Sequence, residues 1–314
     1  MIAQSTQLDE GLALLDLEFQ GLPEVIGSFA FHGTDGFGLV EIGPTTTLDR
    51  LLTSIEAFGG LDRLTAVVVT HVHLDHAGGV GKLLRMAPSV RCFVHRVGAP
   101  HLVEPSKLLA SAKRIYGDDM ERLWGEVVPA PESQVAPVED GDRIELGGTS
   151  LRVVYTPGHA SHHIALYDEE RSALLTGDAA GVRLDRFFHV RPPTPPPDVD
   201  LDEWKRSVQK MLDLEPDRLL LTHFGVQERD LPEHFEQLLD RLKRWAGMVR
   251  EGMIEGVDRN SLVDRMRAEG DEALRAAGGS DVALRQYELA NPYGMSVDGL
   301  IRYWERPPGG TPKA

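Results

Sequence analysis

A single cysteine, Cys92, occurs in 314 residues. That excludes an internal disulfide framework and any zinc finger built on cysteine, and it fits a reducing compartment. Basic side chains are scarce beside acidic ones, 33 against 49, for a formal net charge of −16. Such a surface repels a polyanion on average, which argues against nucleic acid or an anionic membrane as partner. No uncharged apolar stretch reaches the length of a bilayer span. The first 21 residues carry acidic side chains and no basic stretch ahead of an apolar core, so no secretion signal is expected. A cytoplasmic location is therefore the expectation. Low complexity is confined to the prolines of RPPTPPPDVD, residues 191–200, and no repeat shows at solenoid periods.

What is present is an ordinary globular mixture, 41% hydrophobic and 26% charged, in a chain long enough to bury a real core. Through about two thirds of its length, short β-branched runs alternate with helical patterns, as in an α/β protein. LTAVVVT (64–70), RCFVH (91–95), SLRVVYT (150–156), HIALYD (163–168), ALLT (173–176) and RLLLT (218–222) are the clearest strands. A helical insertion near residues 105–127 is long for a plain connection and is a candidate pocket wall. Residues 191–200 read as a stiff loop, because proline supplies no amide donor and fixes φ; a helix over 201–214 follows. After Phe224 the spacing is helical only. The organisation predicted is an α/β domain over 1–225 and an all-helical extension over 226–314 packed on it. Trp245, Tyr287, Tyr293, Tyr303 and Trp304 of that extension are assigned to core packing ahead of a homodimer face or a pocket lid.

Four segments share one design: VVVTHVHLDH, RVVYTPGH, ALLTGD and LLLTHFG each run apolar to a threonine and then deliver a histidine or an aspartate. Residues just past strand ends sit on loops held by a rigid sheet, where α/β proteins place their ligand crevices. If those ends share an edge, His71, His73, Asp75, His76, His159, Asp178 and His223 converge. Seven nitrogen and oxygen donors exceed one tetrahedral zinc and suit two metals bridged by a carboxylate. In HxHxDH an extended loop sets His71 and His73 toward one ion and turns Asp75 and His76 toward a neighbour. In TPGH, Pro157 pre-sets the backbone and Gly158 lets it approach the metal, so that His159 points back into the cluster. TPGH, TGD and THFG taken singly read as turns or caps; HxHxDH after a buried strand has few structural uses, and the ordered set reads as a metal site. His95, His101, His189 and His234 lack a motif and read as structural or surface residues.

The ordered set HxHxDH, TPGH, TGD and TH resembles the metallo-β-lactamase superfamily over residues 25–225. The resemblance implies an αββα sandwich with a dinuclear site at one edge of its paired sheets, followed here by the helical extension. It implies His71, His73 and His159 as ligands of a first metal, Asp75, His76 and His223 of a second, and Asp178 as the bridging carboxylate. Zinc is the default for both ions, with iron and manganese compatible. His163, four residues after His159, stands where thioesterases of the glyoxalase II group also carry a histidine, and reads as a group behind a ligand or facing the substrate. One departure is EIGP, residues 41–44, with Glu41 where many members have an aspartate.

The chemistry implied is hydrolysis of an acyl ester, thioester or lactone of a small molecule by a metal-bridging hydroxide, with Asp75 orienting the water or moving its proton. A phosphodiester is the alternative substrate. A metal-binding or redox scaffold without hydrolysis is the alternative of another class, and the completeness of the ligand set counts against it.

Overall fold

The structure is a computed structural model that describes residues 5–184 and 186–306; the outermost ends of the two predicted domains fall outside that range. The chain forms two compact units: one runs to Tyr155 and includes Ile164–Leu175, the other comprises Thr156–His163 and the chain from Thr176 onward. The described strands fall into a sheet of seven and a sheet of six.

In the first unit, β1 (Ser5–Asp9), β2 (Leu12–Asp16), β3 (Gly27–Gly33), β4 (Gly36–Val40), β5 (Leu64–Val68), β6 (Arg91–His95) and β7 (Val135–Val138) lie side by side in chain order. The first four pair antiparallel. From β4 to β7 the pairing is parallel, and the crossovers that parallel strands require carry α1 (Leu48–Ile55), α2 (Leu74–Ala77), α3 (Val80–Met86), α4 (Ala99–Val103), α5 (Ser106–Tyr116) and α6 (Met120–Trp124). Strand β5 lies between β4 and β6, and Val67, Val68 and Val69 are fully buried, which accounts for the apolar run before the first histidines. The same unit holds β8 (Arg143–Leu146), β9 (Thr149–Tyr155), β10 (Ile164–Asp168) and β11 (Ala173–Leu175), an antiparallel run.

The second unit contains the excursion Thr156–His163, the loop from Thr176, α7 (Leu201–Leu212), the hairpin of β12 (Arg218–Leu221) with β13 (Gly225–Gln227), and four helices. These are α8 (Leu231–Glu255), α9 (Arg259–Ala276), α10 (Asp281–Ala290) and α11 (Tyr293–Glu305). Asp200, Asp258 and Ser280 cap α7, α9 and α10 by accepting from backbone amides of the first turn. Trp245, Val249, Leu262, Met266, Tyr293, Val297 and Leu300 form one core among α8, α9 and α11. A second core packs Val182, Leu184 and Phe187 against Leu274, Ala283 and Tyr287. Trp245, Tyr287 and Tyr293 are thus core residues, while Tyr303 and Trp304 remain partly exposed. Among the described residues no helix is long and apolar enough to cross a membrane.

Candidate metal centre

The first motif begins where β5 ends. His73 is extended (φ −61°, ψ 152°) and caps α2, so the chain turns helical at Leu74, and Asp75 and His76 project from a short helix rather than from an extended loop. His71 Nε2 lies 2.9 Å from His73 Nδ1, and His76 Nε2 lies 3.7 Å from Asp75 Oδ2. His71 and His76 are fully buried and their rings are 4.0 Å apart.

Proton accounting shows which ring nitrogens are unprotonated. The Thr70 hydroxyl donates to Glu41 Oε1 at 2.5 Å, so its oxygen accepts from His71 Nδ1 at 3.0 Å, which leaves His71 Nε2 unprotonated and facing His73 Nδ1. His76 Nδ1 lies 3.1 Å from Glu41 Oε1, an electrostatic contact that favours the ring proton on Nδ1 and leaves Nε2 unprotonated. Glu41, wholly buried and in the left-handed region at φ 68°, therefore holds two histidines of the first motif. Backbone bonds support it: the amides of Ile42 and Gly43 both donate to the His76 carbonyl at 3.0 Å. The departure from aspartate leaves a carboxylate in contact with the motif, and its longer side chain reaches it.

The second unit repeats the logic. His159 Nδ1 faces the Pro193 carbonyl at 2.9 Å, and a carbonyl only accepts, so Nδ1 carries the proton and Nε2 is bare. That Nε2 lies 3.3 Å from Asp178 Oδ2, while His223 Nε2 lies 3.4 Å from Asp178 Oδ1. One carboxylate thus presents one oxygen to each of two imidazoles. His163 stands behind it. Its Nε2 accepts from the Asp178 amide at 3.1 Å, and its Nδ1 donates to Thr156 Oγ1 at 2.8 Å, so both nitrogens are engaged away from Asp178's oxygens.

Three donor sets each have their ligand atoms within 4.8 Å of one another: His71, His73 and His159; His71, His76 and Asp178; and Asp75, His76 and His223. All seven donors read from the sequence appear in these sets, and His71, His73 and His159 form a set of their own as do Asp75, His76 and His223. Imidazoles gathered with carboxylates, with Nε2 of His71, His76 and His159 unprotonated, match the donor chemistry of a divalent metal.

Glycine at 158 serves another neighbour than the metal. At φ 136° its backbone runs against α7, where an added Cβ would come within 2.3 Å of Trp204 Cα. Trp204 donates its indole N–H to the Ala179 carbonyl at 2.7 Å, and its ring meets His159 edge-on at 5.7 Å. The insertion supplies Tyr116, whose ring packs on Trp124 at 5.0 Å. Burial, and secondarily the charge of Asp75, hold the Tyr116 phenol well above the ordinary 10.0, so it stays protonated and able to donate.

Glu41, Thr70, Thr156, Trp204 and the Pro193 carbonyl support the donors, and none of them is marked as a support by the sequence. Glu41 leaves a signal there as a carboxylate at a strand end, and Thr70 and Thr156 leave one as the threonines that close two of the apolar runs.

Residues 29–223 match the family described as the metallo-beta-lactamase superfamily. The chain belongs to this superfamily. Its fold is the one the sequence implied, two sheets with helices and a helical C-terminal region. A metallo-beta-lactamase fold-containing protein of Sulfurisphaera tokodaii is 32% identical over 192 residues, 60% of this chain and 71% of that one. An acyl-coenzyme A thioesterase of Bos taurus is 30% identical over 199 residues, 57% of this chain and 59% of that one. The crystal structure of a metallo-beta-lactamase family protein from Thermus thermophilus covers 95% of this chain and 94% of its own, with TM-score 0.68 and 22% identity. The match to the Thermus structure, which extends over nearly the whole chain, brings the helical region within the shared fold.

Two histidines of the second unit are set apart from this chemistry by their surroundings. Burial first, then the nearby Arg241 and Arg191, push His189 down to about 2. Burial, and secondarily Arg183, bring His234 down to about 4; its Nε2 donates to the Ala180 carbonyl at 2.8 Å. Each is neutral in the folded chain and protonates when the chain unfolds in acid. The unfolded state then binds more protons, so stability falls as pH drops below about 6.5. Each residue contributes a slope of about 1.4 kcal/mol per pH unit once well below that point. Urea unfolding of the metal-free protein at pH 7.5, 6 and 5 checks this: His234→Gln, which keeps an amide donor for Ala180, is expected to show a shallower acid loss than wild type, and equal slopes would refute the assignment.

Proposed function

We propose that the seven donors hold two divalent ions and that the protein hydrolyses a thioester, with oxygen esters and lactones as the neighbouring substrate class. The observation that carries this reading is Asp178, whose two oxygens address His159 and His223 separately at 3.3 and 3.4 Å. The thioester is favoured because a relative 30% identical over 199 residues is an acyl-coenzyme A thioesterase. Zinc is the ion of choice for a site of five imidazoles and two carboxylates, and iron suits the same donors.

Two ions held by these donors would supply Lewis acidity, which would make hydroxide available near neutral pH and polarise an acyl carbonyl. The chain's own residues do the rest. His163 and Thr156 fix the backbone of Asp178, so its carboxylate keeps one oxygen toward each imidazole. Glu41 and the Pro193 carbonyl keep His71, His76 and His159 in the tautomer that offers Nε2. Asp75, only half-buried, is the carboxylate assigned in this reading to take the proton of the attacking water.

The test is a side-by-side measurement of initial rates on an acyl-coenzyme A, an acyl-homoserine lactone and a simple phosphodiester, each with and without EDTA. Thioester turnover that EDTA abolishes and zinc restores is the expected result. Background rates on all three, from protein carrying two ions per chain, would overturn hydrolysis in favour of a metal-binding scaffold. Turnover of the phosphodiester alone would overturn the substrate class.

Glu41 gives a separate prediction. Glu41→Ala removes the acceptor of the Thr70 hydroxyl and the partner of His76, and zinc affinity is expected to fall about 10- to 100-fold, the usual cost of losing a group that orients a ligand. Glu41→Asp keeps the charge on a shorter arm and is expected to fall between. Zinc titration against a chromophoric chelator checks both, and wild-type affinity in Glu41→Ala would show that the carboxylate does not orient the ligands.

A further inference from the structure

The loop RPPTPPPDV, residues 191–199, has five prolines among its first seven residues. Proline has no amide proton, so this segment is rich in carbonyl acceptors and poor in donors, and the bonds that fix it must be donated from elsewhere. On one side the donor is His159, whose Nδ1 gives its proton to the Pro193 carbonyl at 2.9 Å. Ser161, two residues on, donates to Asp198 Oδ2 at 2.6 Å, and the Asp200 amide donates to the Gly158 carbonyl at 2.8 Å. The loop therefore lies along the TPGH turn, and one of its carbonyls decides which nitrogen of His159 is bare.

On its other side the loop is held by the C-terminal helices. Asn291 Nδ2 donates to the Pro192 carbonyl at 3.0 Å, while Asn291 Oδ1 accepts from Ser296 Oγ at 2.7 Å. Thr194 Oγ1 donates to the Ser296 carbonyl at 3.0 Å. Arg306 donates to the carbonyls of Pro197 and, at 2.8 Å, Val199. Arg191 is wholly buried between Tyr287 and Tyr293, with its guanidinium 5.0 and 4.2 Å from their ring centres, and donates to the Tyr293 hydroxyl at 2.5 Å. At Gly299 of α11 the loop comes so close that an added Cβ would stand 1.9 Å from the Thr194 carbonyl oxygen. Thr194, Asn291, Ser296 and His159 are all buried, so water does not substitute for these bonds.

We infer that α10 and α11 are a positioning element of the metal centre: Asn291 and Ser296 hold the proline loop so that the Pro193 carbonyl fixes the tautomer and aim of His159. The inference rests on the proposal that His159 is a ligand. It assigns to the helical extension a task in metal binding, and it makes Asn291 and Thr194 positioning residues for an ion they do not touch.

Two variants of the full chain test it. Asn291→Ala removes the donor to Pro192, and Thr194→Val removes the hydroxyl donor to Ser296 while keeping the side-chain shape. Arg259→Ala is the control: it cuts the ion pair of Arg259 with Asp298, which ties α9 to α11, and the other bonds of Arg259 go to Asn260 and the Gly294 carbonyl rather than to the loop. Zinc per chain and zinc affinity are measured by chelator competition, the cobalt(II)-substituted forms are compared by visible absorption, and thermal unfolding of the metal-free proteins reports stability. In both loop variants the affinity for one of two zinc ions is expected to fall about 10- to 100-fold, with an altered cobalt spectrum and the other ion retained. Arg259→Ala is expected to bind both ions as wild type does. A loop variant that folds, loses stability and still binds both ions with wild-type affinity and spectrum would overturn the inference, because that is the behaviour of a merely structural contact. Equal loss of affinity in Arg259→Ala would overturn it too. Wild-type protein that binds no zinc would instead overturn the metal assignment itself, and the inference with it.

Discussion

On the two-ion hydrolase reading proposed above, Asp178→Asn is expected to hold no more than one ion per chain and to lose roughly a thousand-fold or more of its hydrolytic rate, since several kcal/mol of charge stabilisation would then depend on both ions. The substitution is nearly isosteric, so the backbone bond from the Asp178 amide to His163 is kept, and the fold should survive. What changes is that one of two anionic oxygens becomes an amide nitrogen, which donates where a cation needs an acceptor. Either His159 or His223 then faces a donor at the 3.3 or 3.4 Å now separating it from the carboxylate. Metal analysis and rates on the thioester, with circular dichroism to verify folding, check this. Full activity with two bound ions would refute a bridging role for Asp178.

The donors are legible in the sequence because each follows a strand whose apolar run is itself conspicuous: β5, β9, β11 and β12 lead to His71, His159, Asp178 and His223. Of their partners His163, which binds the Asp178 amide, is legible beside the TPGH turn; the others are not, for reasons specific to each. The group that orients His159 is a backbone carbonyl, at Pro193, and a carbonyl has no signature in a residue string. Glu41 is 35 residues before His76, and only the pairing of β4 with β5 brings the two together. Strands β2, β3 and β4 leave little trace because LALLD, GSFAFHG and GFGLV hold a single β-branched residue, Val40, between them, and β-branching is what marks a strand locally. β7 contains Pro137, tolerated on the outermost strand of its sheet where the missing donor is not needed. The helix after the proline loop is two residues shorter than its sequence predicts, since Asp213 already serves as its C-cap. HxHxDH is legible as chemistry but not as geometry: the switch from extended to helical backbone at Leu74 separates Asp75 and His76 from the two histidines before them.

The second large effect is expected at Gly158, where the sequence points to the metal and the structure points to a helix. Gly158 has φ 136°, a conformation essentially reserved to glycine. An alanine Cβ there would lie 2.3 Å from Trp204 Cα and 2.4 Å from both its amide nitrogen and its Cβ. These are not the far ends of a flexible side chain, so relief requires moving α7. That helix is fixed by its Asp200 cap, by the bond from the Asp200 amide to the Gly158 carbonyl, and by the Trp204 indole on Ala179 next to Asp178. Strain and displacement together place Gly158→Ala among the severe single substitutions, at about 4 kcal/mol of lost stability. Because the same turn aims His159 and the same tryptophan braces the residue after Asp178, loss of metal is expected to accompany loss of stability in whatever fraction folds. Urea unfolding of the metal-free proteins and zinc analysis of the folded fraction check both parts. A Gly158→Ala protein within about 1 kcal/mol of wild type would mean that α7 shifts freely against the TPGH turn, and that the turn's geometry is not what holds His159 in place.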